Sequence, residues 1–403
     1  MSKTLVIKLG GSILKDSASI KDVVASIKDL VAKGYRIVLV ASAFKGVTDL
    51  LFQNSMEVCD DAPPWMLADF VSMGERSSVR LLAAALAAAG LNSVVVDPNS
   101  EEWPIVTDDN YLDANPILDI TEELVSKKIL PLLNSGMLPV VCGFLGKSLS
   151  GKVTLLGRGG SDTTAVLLGR FARADEVLLI KDSGGFMSAD PDSTSSAYTV
   201  RSLSADEAYA LSAGGAKVIQ PKALRYKSKE LSVRIAGLDS MLDGGTVIEG
   251  ELGSLEASIT NSRLAMITVL VGEGEATLNL SSNLLRKAHE ANAQVISSVV
   301  EGRAILMYVE NNESATLRLY DEIARIPGVK GSSIFRELSQ IVIKGAGLET
   351  RPGIIQDVVK PLSENGINIY GIVTIGSSVR LFVKAGDAGG ALELIRSSLG
   401  VGS

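Results

Sequence analysis

The chain has 403 residues, 46% of them hydrophobic, with a net charge of −7 and two cysteines, Cys59 and Cys142. This length asks for two or three domains, and the apolar content excludes a disordered chain. The acidic balance speaks against nucleic acid or an anionic membrane as partner, the two distant cysteines against a disulfide framework or a cysteine zinc site, and the single histidine, His289, against histidine-dependent triads; both cysteines read as buried small hydrophobes.

The opening MSKTLVIKLGGS has too short an apolar run for a signal peptide and reads as a strand. The longest apolar stretch, LLAAALAAAGLNSVVV, is broken by Gly90, Asn92 and Ser93 below membrane-spanning length, so the expectation is a soluble cytoplasmic protein. To about residue 250, apolar strands (TLVIKLG, YRIVLVAS, NSVVVDP, LPVVCGFLG, EVLLIKD) alternate with helical patterns such as SIKDVVASIKDLVAKG and RSSVRLLAAALAAAG. Strands apolar on both faces that alternate with helices predict a largely parallel sheet sandwiched by helices, with ligands at the carboxyl ends of the strands.

The glycine-rich and acidic segments Gly10–Ser12, Ser42–Asp49, Gly143–Gly146 and Asp182–Asp190 fall at those ends, and four segments carry candidate chemistry. KLGGS puts Lys8 before Gly10, Gly11 and Ser12, where the turn is either structural or an anion cradle opening a helix. SMGE puts Glu75 at a helix start, as a cap or as a charge held for a ligand. LGRGGSDTTA, with Arg158, Gly160, Ser161 and Asp162, reads as a plain turn, a phosphate-cradling helix N-terminus, or part of a pocket for a zwitterion; its arginine can grip a carboxylate with two parallel hydrogen bonds. GGAKVIQP supplies Lys217, a surface lysine when taken alone. Neither GxGxxG nor a P-loop is present in the first turn.

After GGTVIEGELG the texture changes to two copies of a small βαββα unit. Ile267 and Ile341 lie 74 residues apart, and so do Val295 and Ile369. His289, in LLRKAHEANA, reads as a helix-surface residue.

Together KLGGS, SAFKGVTDLL, SMGERSSVRLLAAAL, GFLG, LLGRGGSDTTAVLLG, GGFMSADP and GGAKVIQPKAL resemble, in order and from end to end, the aspartokinase branch of the amino-acid kinase family; GAGLETRPGIIQDVVKPLSENGINI resembles its ACT repeats. The resemblance implies a catalytic domain over 1–250 and ACT repeats over 263–335 and 336–403. It implies ATP-dependent phosphorylation of the L-aspartate side-chain carboxylate, a first step toward lysine, threonine and methionine, with Mg²⁺ carried on the ATP phosphates and no metal ligand from protein side chains. Lys8 and Lys217 would neutralise the phosphoryl group, Asp162 would hold the lysines, and Gly10, Gly11, Ser12, Gly160, Lys181 and Asp182 would meet ATP. Arg158 would clamp the α-carboxylate of aspartate and Glu75 its ammonium group, with Ser42, Thr48 and Ser161 completing the pocket. Paired ACT repeats imply a homodimer or higher oligomer. A lysine or threonine effector is expected near Pro352, Gly353, Asn368, Thr374 and Ser377.

The chain departs from the family pattern at Lys181 (usually Thr), Met187 (usually Tyr), Asp192 (often Arg) and Gln220 (usually His). Lys181 is expected to substitute electrostatically for the missing arginine. The first ACT repeat also lacks the glycine-rich turn and Asp-Ile-Gln tail of relatives. The rival readings are a kinase of another acidic substrate, such as acetylglutamate, glutamate or carbamate, and a catalytically inactive ACT-type sensor.

Overall fold

A computed structural model of the chain describes residues 2–401 apart from 60, 190–193, 195, 274–276, 346–347, 349–352 and 376–377. The chain divides into two compact units, Met1–Leu252 and Gly253–Ser403. Among the described residues no helix is long and apolar enough to cross a membrane.

The first unit carries β1 (Thr4–Leu9), β2 (Arg36–Ala41), β3 (Ser93–Val96), β4 (Val106–Thr107), β5 (Leu138–Cys142), β6 (Leu145–Ser148), β7 (Val153–Leu155), β8 (Glu176–Ile180), β9 (Ser202–Ser204), β10 (Ser232–Ala236) and β11 (Thr246–Glu249). Its main sheet has the order β3-β5-β2-β1-β8-β10-β11-β9. The run from β3 to β10 is parallel throughout, and β11 then turns antiparallel to β10. A small second sheet joins β4, β6 and β7. The central strands are apolar because both faces are covered, and every residue of β1 and β5 is buried.

Helix Ser17–Ala32 buries Ile20, Val23, Ile27 and Leu30, a three–four spacing that keeps one face on the core. Helix Gly160–Phe171 differs: every residue but Arg170 is buried. Each large apolar side chain hidden this way contributes about 1.5–3 kcal/mol, which fixes the helix firmly enough to aim its first turn.

The second unit is one antiparallel sheet, β13-β14-β12-β15-β17-β16, formed by β12 (Glu256–Val271), β13 (Val295–Glu301), β14 (Ala304–Glu310), β15 (Val329–Lys344), β16 (Ile369–Ile375) and β17 (Ser378–Lys384). The two βαββα repeats superimpose on the 74-residue offset in their last strands: β14 runs 304–310 and β17 runs 378–384. β12 and β15 are each 16 residues long and serve both repeats. The first half of β12 pairs with the end of β15 and sends Ala257 into the core around Ile341 and Ile343, while its second half pairs with β14. Register shifts between Ile259 and Met266 mark the point where β14 joins β12, which stays paired with β15 along its whole length.

A third cluster, Leu264, Tyr308, Leu338 and Phe382, lies on the other face of the strands. Two strands separate β14 from β17 in the sheet, which would hold them roughly 14 Å apart if it were flat. The Tyr308 and Phe382 rings nevertheless stack with centroids 3.6 Å apart. The sheet is therefore folded back, with the two repeats face to face on an aromatic core.

Candidate active site

The carboxyl ends of β1, β2 and β8 and the starts of three helices enclose a cleft of about 730 Å³. Its floor is an ionic cluster. Lys8, on β1 and 5% exposed, brings Nζ to 2.7 Å from Oδ1 of Asp162, which is 2% exposed. Lys181, directly after β8, donates to the other carboxylate oxygen at 3.2 Å. Burial alone would push the Asp162 carboxyl up, but the charges of Lys8 and Lys181 outweigh it and hold it at about 2. The Lys8 ammonium is lowered from its ordinary value by burial, with Asp162 opposing the fall and Lys181 adding to it.

Glu75 stands in the first turn of helix Met73–Ala88 and is 2% exposed. Its Oε1 accepts a hydrogen bond from the Ala43 N–H at 3.1 Å, in the loop after β2, and the carboxylate also accepts from its own backbone N–H in the first turn of the helix. Its Oε2 is buried without a partner. Burial pushes the carboxyl up to about 7, with the Ala43 bond opposing. A buried oxygen left unpaired in a ligand cleft is a vacancy for a donor.

Arg158 is exposed, lines the same cleft and makes no ion pair or hydrogen bond among the described residues. It is followed by Gly159, held at φ +69, whose left-handed turn starts helix Gly160–Phe171 with no side-chain cap. Helix Val47–Val58 likewise starts uncapped behind Gly46, and Thr48 in its first turn lines the cleft. Two uncapped helix N-termini thus add partial positive charge to that of the lysines. Ser42 and Ser161 share a hydrogen bond of 2.9 Å between their hydroxyls at the cleft wall.

The structure brings Lys8, Gly11, Ser12, Ser42, Thr48, Glu75, Arg158, Gly160, Ser161, Asp162 and Lys181 to one cleft. Gly10, buried directly after β1, is not among the residues lining it. The turn Gly10–Ser12 does not open a helix as the sequence suggested. The Ile13 and Leu14 N–H groups close back on Gly10 O, and the helix begins only at Ser17, with Asp16 as its cap. Lys217 lies exposed on a turn and is not among the residues lining the cleft, although Gln220 nearby is. Asp182 is exposed outside it, with Lys15 Nζ at 3.9 Å.

Gly353 caps helix Ile354–Glu364 at φ +86, and Asn368 and Thr374 are exposed before and within β16. Asp192, Pro352 and Ser377 lie outside the described residues. Met187 bridges to Thr199. Cys142 is buried, its thiol pushed up by desolvation, but Cys59 is exposed because it falls just past the last turn of helix Val47–Val58.

Two features escaped sequence reading. Phe144 holds a positive φ of 68 at the cleft wall, a conformation that a bulky residue adopts only when its surroundings force it. Lys222 donates to Asp113 at 2.6 Å and to the carbonyls of Ala114 and Leu156, tying down the segment that ends in Arg158. Nothing in QPKAL alone distinguishes that lysine from a solvated one.

A largely parallel sheet with a lysine–carboxylate–lysine floor and uncapped helix starts at its strand ends defines a protein built to hold anionic groups. The model of the amino acid kinase family matches residues 3–237, and the chain belongs to that family. It is similar to the aspartokinase of Mycolicibacterium smegmatis, with 26% identity over 99% of this chain and 96% of the relative. Among solved structures, aspartate kinase from Synechocystis matches with a TM-score of 0.79 and 23% identity, covering 99% of this chain and 70% of that one. Escherichia coli aspartokinase III, solved with aspartate and ADP, matches at 0.55 and 20% identity over 98% of this chain and 100% of that one; the same enzyme solved with lysine and aspartate matches at 0.54.

Proposed function

We propose that the protein is an aspartate kinase that transfers the γ-phosphoryl group of ATP to the side-chain carboxylate of L-aspartate, giving 4-phospho-L-aspartate and ADP. The observation that carries the reading is the unpaired, buried Oε2 of Glu75 in the same cleft as the unpartnered guanidinium of Arg158. One takes an ammonium and the other a carboxylate, which together select a free α-amino acid; an N-acylated substrate would leave Glu75 stranded. Similarity to aspartokinases along nearly the whole chain supports aspartate over other acidic substrates. The lysine cluster on Asp162 supports an active kinase over an inactive sensor.

The acceptor carboxylate is already ionised at neutral pH, so no general base is needed. Its oxygen attacks the γ-phosphorus, and the bond from that phosphorus to the β–γ bridging oxygen breaks. Lys8 and the uncapped helix starts stabilise the charge, and alignment supplies the rest of the acceleration. Mg²⁺ enters on the ATP phosphates; among the described residues no cluster of three or more His, Cys, Asp or Glu is arranged to take a metal. The ACT-type repeats are proposed to pair two chains and to carry a lysine or threonine effector site that includes Gly353, Asn368 and Thr374, a reading supported by the lysine-bound aspartokinase III.

Hydroxamate trapping with ATP, Mg²⁺ and a panel of acidic amino acids tests the activity. Arg158→Ala and Glu75→Ala are each expected to weaken aspartate use by roughly 2–5 kcal/mol with little change in the KM for ATP. Parental KM for aspartate in both would remove the assignment. Titrating lysine and threonine against rate and thermal midpoint tests regulation, because an effector must stabilise the state that it binds.

A further inference from the structure

Asp162 gives each of its oxygens to a different lysine, Lys8 at 2.7 Å and Lys181 at 3.2 Å. Both lysines line the cleft, whereas Lys217 stands exposed outside the lining and makes no ion pair among the described residues. The backbone fixes this arrangement. Lys8 lies on β1 and Lys181 directly follows β8, its neighbour, where Leu9 stands opposite Ile180. The Lys181 N–H then donates to Ala236 O at 2.9 Å, pinning the residue at the end of β10 as well. Two lysines meet one carboxylate, so the cluster turns more cationic than anionic side chains toward the cleft. The Lys181 side chain is 18% exposed and the Lys8 side chain 7%, so both are largely desolvated while bordering the cleft. Charge held this way acts on a ligand more strongly than a solvated surface lysine does.

We propose that Lys181 is a catalytic residue, the second cation, with Lys8, on the transferring phosphoryl group, and that Asp162 holds the two in register. The inference rests on the aspartate-kinase reading and deepens it. A loose phosphoryl transition state spreads negative charge over its equatorial oxygens. Two lysines locked to one carboxylate meet that charge without reorganising, whereas a lysine on an exposed turn must first be ordered.

The test uses the full chain with Lys181→Met, Lys181→Gln, Lys181→Arg and Lys217→Met. Initial rates come from hydroxamate trapping, and nucleotide affinity from calorimetry with ADP and Mg²⁺. Lys181→Met and Lys181→Gln are expected to lose about tenfold or more in kcat, with the KM for ATP and the Kd for ADP within about threefold of the parent. The glutamine keeps a hydrogen bond to Asp162 without the charge, so it separates a catalytic cation from a merely structural one. Lys181→Arg is expected to recover most of the lost kcat, and Lys217→Met to lose less than Lys181→Met. A Gln variant with parental kcat, a loss confined to the KM for ATP, or a larger kcat loss in Lys217→Met would each overturn the inference. A parent that binds ADP but phosphorylates no aspartate would instead refute the reading beneath it.

Discussion

Two glycine-bearing turns in the first unit look alike in sequence, KLGGS after β1 and LGRGGSD after β7, yet they end differently. The first closes on itself, and the helix that follows is capped at once: Asp16 accepts from the Ser19 N–H at 2.8 Å while Ser19 Oγ accepts from the Asp16 N–H at 3.0 Å. That helix N-terminus is filled by its own side chains. The second turn places a left-handed glycine at the cap position and brings no side chain to cap the helix start, which borders the cleft. A glycine-rich turn therefore offers a helix N-terminus to an anion only where the cap residue brings no acceptor of its own. What the first turn chiefly delivers is the side chain of Lys8.

The largest expected effect tests that last statement. Lys8→Met removes a cation from the cleft and leaves Asp162 Oδ1 without its partner. Turnover is expected to fall by about a hundredfold or more. Breaking a buried pair of this kind also destabilises the fold by roughly 3–5 kcal/mol, read as a lower thermal midpoint. Steady-state kinetics beside a melting curve check both. Should Ser12→Ala lower turnover more than Lys8→Met, the first turn would act through its backbone and hydroxyl, and the contrast would invert.

Glu75 tests the pocket that the second turn completes through Arg158. Its carboxyl takes up a proton near 7 in the folded chain, against 4.5 ordinarily. Between those pH values the folded state holds more protons than the unfolded state, so the stability of the ligand-free protein falls as pH rises from about 4.5 to about 7 and stays lower above. Glu75→Gln is expected to abolish that fall, a gain of up to roughly 3 kcal/mol above about pH 7. Under the proposed function, aspartate use is expected to run the other way, since the ammonium would require the ionised carboxylate. The kcat/KM for aspartate should drop as pH falls through about 7, and Glu75→Gln should lose that break along with most of the affinity. A glutamine variant that keeps the break would assign it to another group.

A direct comparison of the two turns comes from alanine at Gly159 and at Gly10. A Cβ on Gly159 would stand 1.9 Å from Gln220 Cγ, at a φ of +69. The left-handed backbone alone costs about 1–2 kcal/mol for a residue with a Cβ. At Gly10 the nearest atom is Lys8 Nζ at 3.2 Å, the end of a flexible chain. Gly159→Ala is therefore expected to lower the thermal midpoint and to raise the KM for aspartate about tenfold through displaced Arg158. Gly10→Ala should change both less. Equal losses would erase the distinction between the turns.

Much of this was legible in the sequence where the signal is local. β1, β2, β3, β5 and β8 coincide with the apolar runs, because a strand covered on both faces can hide nowhere else. The repeat offset carried over to β14 and β17 because each repeat builds its own helix-covered core. The first half of β12, EASITN, has no apolar run to announce a strand; it exists because the distant end of β15 pairs with it. Asp162 was readable as an anchor for lysine, but its second partner depends on β1 and β8 being neighbours, which no spacing in the chain records. The roles of Lys222 and the strained backbone of Phe144 likewise arise only once separate segments meet.

The smallest expected effect is at Asp16, and it isolates the structural half of the contrast. The side chain is exposed, its carboxyl held below the ordinary value chiefly by the Ser19 N–H bond, and it is not among the residues lining the cleft. Asp16→Ala removes the cap and one half of the capping box, so the first turn of helix Ser17–Ala32 frays and the thermal midpoint falls modestly. The core contacts of Ile20, Val23 and Ile27 keep the rest of the helix in place. The kinetic constants for ATP and aspartate should stay at parental values, because Asp16 lies outside the cleft and its carboxylate already holds the Ser19 N–H. If Asp16→Ala instead tightened ATP or ADP binding, the freed N–H groups would lie within reach of the nucleotide. The first turn would then be an anion cradle held shut by its own cap.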